Sequence, residues 1–189
     1  SAQTKAADSV RIEAFRQGMK ALGYVEGRNF DIEFAWADGR YERLAVMAEE
    51  FARRKVDLIL AVGTPATLAA LRVTSVIPIV FPLSGDPIRT GTVSSLARPG
   101  KNVTGLTTLT GELSRKRLEL LREIVPRLSL LGVVINPGNP VHGPALDDLS
   151  SAAHALGVRL QPLEVTTPEG FERALDAGSK ARVQALFFL

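Results

Sequence analysis

DLILAVGTPATLAA, residues 57–70, joins two apolar patterns across one glycine. DLILAVG (57–63) is a short, continuously apolar run, the pattern of a strand buried on both faces. Past Gly63, Thr64 offers the hydroxyl of a helix N-cap and Pro65 the fixed φ of a first helical residue. Leu68 and Leu71 follow at helical spacing and are expected to face the core. IPIVFP (77–82) then reads as a second buried strand. A strand, a helix and another strand in this order argue for a parallel sheet with helices packed on it.

The same alternation extends in both directions. Upstream, Ile12, Phe15, Met19 and Leu22 form a helical stripe that ends at Gly23. In NFDIEFAW (29–36), Phe30, Ile32, Phe34 and Trp36 alternate with Asp31 and Glu33, which predicts a strand with one wet face. Leu44, Met47, Ala48 and Phe51 mark a second helix, expected to start near Asp38 or Gly39. Downstream, PLSGDPIRTG (82–91) is a loop and NVTGLTT (102–108) a weaker strand. TLTGELS (108–114) has the composition of a boundary. The pattern then restarts. Leu118, Leu121 and Val125 mark a helix stopped by Pro126. LLGVVI (130–135) is a buried strand and NPGNPVHGP (136–144) a turn. A helix through Leu146, Leu149, Ala153 and Leu156 ends at Gly157. VRLQPLEV (158–165) is a strand whose Pro162 suits an edge. A helix opens at Thr167-Pro168, and VQALFFL (183–189) is the last strand. The expected organisation is an α/β unit over 1–108 and a second over 109–189.

Composition narrows the function classes. The 189 residues include 46% hydrophobic and 23% charged positions, which excludes a disordered, collagen-like or membrane-bundle chain. Net charge is only +3, with no run of five like charges, so no nucleic-acid surface is indicated. The absence of cysteine excludes disulfides, thiolate metal sites and a thiol nucleophile on this stretch. The dinucleotide pattern G-x-G-x-x-G is missing after 57–63. Gly100-Lys101 lacks the glycine of a phosphate loop, since Ser95 stands five residues before Gly100. The histidines, His142 and His154, have no metal-ligand spacing, and His154 reads as a polar helix residue. Ser84-Gly85-Asp86 lacks the G-x-S-x-G frame of a nucleophile. Trp36 reads as core. The expectation is therefore no catalysis, no cofactor and no metal.

Three loops at strand C-termini remain, the place where open α/β sheets bind ligands. Thr64, Pro65 and Ala66 bring a helix start. Ser84 and Asp86 bring a hydroxyl and a carboxylate on a glycine turn. Asn136 and Asn139 bring two amides before another helix. Helix starts favour an anion by about 0.3–1 kcal/mol each, and Asp86 favours a cation, so the set suits a zwitterion. Taken singly, each is also a sound cap or turn, and the combined reading requires all three on one rim.

FRQGMKALGYVEGRNFDIEF (15–34), DLILAVGTPATLAA (57–70), IPIVFPLSGDPIRTGTVSSLARPGKNVTGLTT (77–108), KRLELLREIVP (116–126) and NPGNP (136–140) together resemble the substrate-binding proteins of bacterial ABC transporters. The likeness is to the group that includes tryptophan- and phenylalanine-type amino-acid binders. It runs from about Val10 to Leu189, and its most specific stretch is 77–108. It implies two periplasmic-binding-protein-like α/β lobes of parallel sheets flanked by helices, closing on a small solute. It also implies that Thr64, Pro65, Ala66 and Asp86 line one wall and Asn136 and Asn139 the other. By the resemblance both lobes are incomplete, with a first strand expected before residue 1 and more of the second lobe after Leu189. Open strand edges would then favour self-association. The implied partners are an amino acid, aromatic ones included, and a membrane permease. The implied location is periplasmic or extracytoplasmic, with any signal peptide outside these residues, because SAQTKAADSV carries no signal core. A sensory module of a regulator and a truncated product that binds nothing are the alternatives.

Overall fold

Strand order follows from which apolar runs can share a ladder, and in the computed structural model they form two parallel sheets. The structure describes residues 1–108 and 110–189. Leu109, within the boundary expected at 108–114, lies outside the described residues.

The first part holds α1 (Lys5–Ala21), α2 (Arg43–Arg53), β1 (Ile59–Leu60), α3 (Thr64–Val73), β2 (Ile79–Ser84) and β3 (Val103–Thr107). Its strands run β1-β2-β3, all parallel, with Ile59 opposite Ile79 and Ile79 opposite Val103. One face is packed. Ile59, Ala61, Ile79, Phe81 and Val103 meet Leu44 of α2 and Ala66 and Ala70 of α3. On the other face Leu58, Leu60 and Leu106 are exposed. The double burial expected for 57–63 is thus corrected: a continuous apolar run has the same composition on both faces, but here helices cover one.

The second part holds α4 (Thr110–Ile124), β4 (Leu130–Ile135), α5 (His142–Ala155), β5 (Arg159–Glu164), a 3₁₀ turn (Pro168–Gly170), α6 (Phe171–Lys180) and β6 (Ala185–Phe188). The order is β5-β4-β6, again parallel. β4 is central and fully apolar because both faces are covered. Leu131, Val133 and Ile135 pack with Leu118 of α4 and Leu149, Ala152 and Ala153 of α5. On the reverse face Val134 meets Leu163 and Ala174 of α6. β5 is an edge strand, as Pro162 requires, since that residue has no N–H for an outer neighbour.

Several expectations need correction. Residues 29–36 make no strand among the described residues; only Glu26 and Phe30 form an isolated bridge. Alternation fixes which side a residue faces, and the Phe34 and Trp36 rings do stack, 5.1 Å apart. A ladder also needs a neighbour with free backbone groups. Here the chain that follows pairs with residues 1–3 instead: Ala37 N–H donates to Ser1 O at 2.9 Å and Gly39 N–H to Ala2 O at 2.9 Å. Trp36 is half-buried under Lys5 rather than core. α2 starts at Arg43, not near Asp38 or Gly39, because both of those residues have positive φ, 54° and 78°, outside the helical region. α1 is capped by Thr4, whose Oγ1 accepts from Ala7 N–H at 3.2 Å, but its stripe stays exposed at Phe15 and Leu22. In α3 the buried residues are Thr64, Ala66, Thr67 and Ala70, with Leu68 and Leu71 half-buried.

Candidate functional site

Parallel strands deliver their C-terminal loops to one rim, so Ser84, at the end of β2, and Ile135, at the end of β4, decide what each unit presents. At the end of β2, Thr64 and Ser84 are both buried, 2% and 1% exposed. Their hydroxyls share a hydrogen bond of 2.8 Å, and the Gly85 N–H donates to Thr64 Oγ1 at 3.1 Å. The N-cap role expected of Thr64 is corrected: Gly63, at φ 89°, precedes the helix, and Thr64 is already its first residue. A positive φ at that junction suits glycine and turns the Thr64 side chain toward β2 rather than onto the helix end. Pro65 is half-buried at the helix start and Ala66 faces the core.

The chain leaves β2 through Gly85 and Asp86. Asp86 Oδ1 accepts from the N–H groups of Ile88 at 3.2 Å and Arg89 at 3.0 Å, which folds the turn. The same carboxylate lines a small, mostly apolar cleft with Arg89 and Thr90, and Val141, Pro144 and Ala145 form its other side.

The facing loop follows β4. Asn136 Oδ1 accepts from Gly138 N–H at 2.9 Å and Asn139 Oδ1 from Val141 N–H at 3.2 Å. His142, which the sequence placed in the turn, is the first residue of α5. Its Nδ1 accepts from Asn136 N–H at 2.9 Å, so the ring is neutral with its proton on Nε2. Burial lowers its pKa below the ordinary 6.5.

Charged side chains are among the contacts that tie the units together. Arg89 Nη1 meets Asp148 Oδ2 at 2.5 Å and its Nη2 donates to Pro144 O at 3.3 Å. Arg40 meets Glu169 at 3.2 Å. The Glu169 carboxyl sits below its usual range through hydrogen bonds from its own backbone N–H and the Thr167 hydroxyl, then through Arg40. Tyr41 lies beside Gly138, and burial raises its phenol pKa.

Of the residues singled out in the sequence, Asp86 lines the cleft, and Asn136 and Asn139 are half-buried in the loop across from it. Thr64 and Ser84 are buried and bonded to each other and do not line the cleft. Arg89, Thr90, Val141, Pro144 and Ala145 were missed. The position of Arg89 on the Asp86 turn was the only cue; the others are ordinary until two distant loops meet. Among the described residues no group of three His, Cys, Asp or Glu could hold a metal ion, and no helix is long and apolar enough to cross a membrane.

Comparison with known proteins bears on what two such units are for. The profile of the family described as ABC transporter substrate binding protein matches residues 5–186. The chain belongs to that family. A tyrosine-binding protein of Clostridioides difficile is 34% identical over 124 residues, 66% of this chain and 35% of the relative. A conserved domain protein from Vibrio cholerae has the same fold with a TM-score of 0.83 at 31% identity, over 92% of this chain and 59% of that one. An ABC domain from Streptococcus pneumoniae, solved in complex with L-Trp, superposes with a TM-score of 0.80 at 20% identity, over 93% of this chain and 58% of that one. The latter likeness speaks to the fold alone. This family member therefore spans well short of the full length of these relatives.

Proposed function

We propose that this chain supplies much of the solute-holding part of a receptor for an ABC importer, and that it captures an amino acid, aromatic ones included, without changing it chemically. Residues 1–108 form one lobe and 109–189 the other. The observation that carries the reading is the approach of the loops after β2 and β4 to each other, with Asp86 in the wall of the water-sized cleft between them, which widens as the lobes part to admit a solute. Asp86 takes the ammonium group. The starts of α3, at Thr64, Pro65 and Ala66 beside Ser84, and of α5, beyond Asn136 and Asn139, favour the carboxylate through backbone N–H groups, the side chains of Thr64, Ala66 and Ser84 being buried. The tyrosine-binding relative supports the choice of ligand class. The partner is a membrane permease, and the site of action is periplasmic or extracytoplasmic, as family membership suggests. Self-association through the outer strands belongs to the same proposal, and sedimentation velocity over a range of concentrations tests it: a single monomer boundary throughout rejects it.

A thermal-shift screen over the proteinogenic amino acids tests the ligand class. A ligand present at 100 times its Kd adds about 2.7 kcal/mol, or about 5–10 °C in Tm for a chain of this size. An upward shift with tyrosine, tryptophan or phenylalanine is expected, and the amino acid should be recovered unaltered. No shift with any amino acid overturns the reading, and recovery of a product refutes capture without chemistry.

A further inference from the structure

Gly85 has no positive φ, so its backbone conformation is open to any residue. The space beside it is not. A Cβ placed there would lie 2.7 Å from Val141 Cγ1, 2.8 Å from Cγ2 and 3.3 Å from Cβ, and these are its three nearest neighbours. The first two distances are closer than side-chain carbons approach, and Val141 belongs to the other unit. Val141 is also poorly placed to withdraw. Its N–H is held by Asn139 Oδ1 at 3.2 Å and its carbonyl accepts from Ala145 N–H at 3.2 Å. Four residues past Gly85, Arg89 reaches from the same loop to Asp148 and the Pro144 carbonyl of α5.

We propose that Gly85 is a closure contact: its missing side chain lets the Val141 isopropyl group seat against the end of β2, and that seating, latched by Arg89 on Asp148, sets how far the two units close over the Asp86 cleft. Position 85 is then specified by the approach of a distant loop and not by its own turn. The effect on ligand affinity rests on the proposed function; the effect on geometry does not.

The chain has no cysteine, so paired spin labels can be introduced cleanly at the exposed positions Arg72→Cys and Glu123→Cys. Electron–electron distance measurements are made on this background, with Gly85→Ala, and with Gly85→Ala/Val141→Ala. The first substitution shifts the distance distribution to longer values, and the second restores it, because the methyl gained at 85 is offset by those removed at 141. A folded Gly85→Ala protein whose distribution matches the parent overturns the proposal. Should Gly85→Ala not fold, Arg89→Ala removes the latch without adding bulk; the same lengthening supports the proposal and an unchanged distribution overturns it. In parallel, titration with L-tyrosine, L-tryptophan and L-phenylalanine should show about 5- to 150-fold weaker binding in Gly85→Ala, the range set by overpacking costs, with recovery in the double variant. A distance shift without binding of any of the three by the parent supports the closure contact and refutes the ligand reading. Binding that Gly85→Ala leaves unchanged, with no distance shift, refutes the closure contact alone.

Discussion

Replacing Thr64 with valine keeps the shape of a buried side chain and removes one oxygen, and the structure gives that oxygen two partners. Ser84 Oγ lies 2.8 Å away in a site 1% exposed, and Gly85 N–H donates to it at 3.1 Å. Thr64→Val therefore leaves a buried hydroxyl and a half-buried amide without their partner. A buried group left unsatisfied costs about 1–3 kcal/mol, and the amide retains partial access to water. The expected loss is about 2–3 kcal/mol, or about 4–12 °C in Tm for a chain of this length. Adding Ser84→Ala removes the stranded hydroxyl, so the double variant should be no less stable than Thr64→Val alone, and the coupling between the sites should be non-additive. Urea denaturation of the four proteins of this cycle reads the effect, with the m-value confirming that the unfolded state is unchanged. A Thr64→Val protein within about 0.5 kcal/mol of the parent, the range of ordinary surface changes, would mean that this pair does not brace the loop carrying Asp86.

Other perturbations separate charge from scaffold. Asp86→Asn keeps the oxygen that accepts from Ile88 and Arg89 and removes the charge, so it should lower amino-acid affinity by calorimetry while Tm stays near that of the parent; unaltered affinity would show that Asp86 does not bind the ammonium group. Arg89→Ala and Asp148→Ala, alone and together, should couple by no more than about 1 kcal/mol, because both side chains are 42% exposed, and the coupling should fade with added salt. Stability should also fall with pH through His142. Its folded pKa lies below the unfolded 6.5 because burial disfavours the cation, so the unfolded chain binds more protons in that window. The neutral ring's contribution is complete above about pH 6.5 and is lost as pH falls toward and through the folded value. His142→Asn, which can offer an oxygen to Asn136 N–H, should remove this part of the pH dependence in thermal melts from pH 8 to 5; a slope equal to that of the parent would show that His142 is not its source.

The α/β alternation was legible because period-two and period-3.6 patterns leave separate marks on a sequence. LLGVVI was legible to the residue, since β4 is covered on both faces and no polar position interrupts it. NFDIEFAW shows the limit. Its alternation was real, as the stacked Phe34 and Trp36 show, but a strand exists only where a neighbour offers free backbone groups, and a local pattern carries no account of neighbours. DLILAVG shows another limit, because an apolar run does not say which of its faces has a helix to cover it. At the site, Asp86 stood out as a charge on a glycine turn. Val141 and Ala145 did not, since small apolar residues carry no chemistry until another loop meets them. Thr64 illustrates a competition: a hydroxyl beside a helix start can cap it, but Ser84 and the Gly85 amide offered two partners in a buried place.

In the proposed function one guest is held by two loops distant in sequence. Hydrogen–deuterium exchange with saturating L-tyrosine, L-tryptophan or L-phenylalanine, whichever binds, reports on both at once. Slowed exchange is expected in residues 85–90 and in residues 136–145 at the same ligand concentration. Protection confined to one of these loops, or found elsewhere with both unchanged, would contradict it.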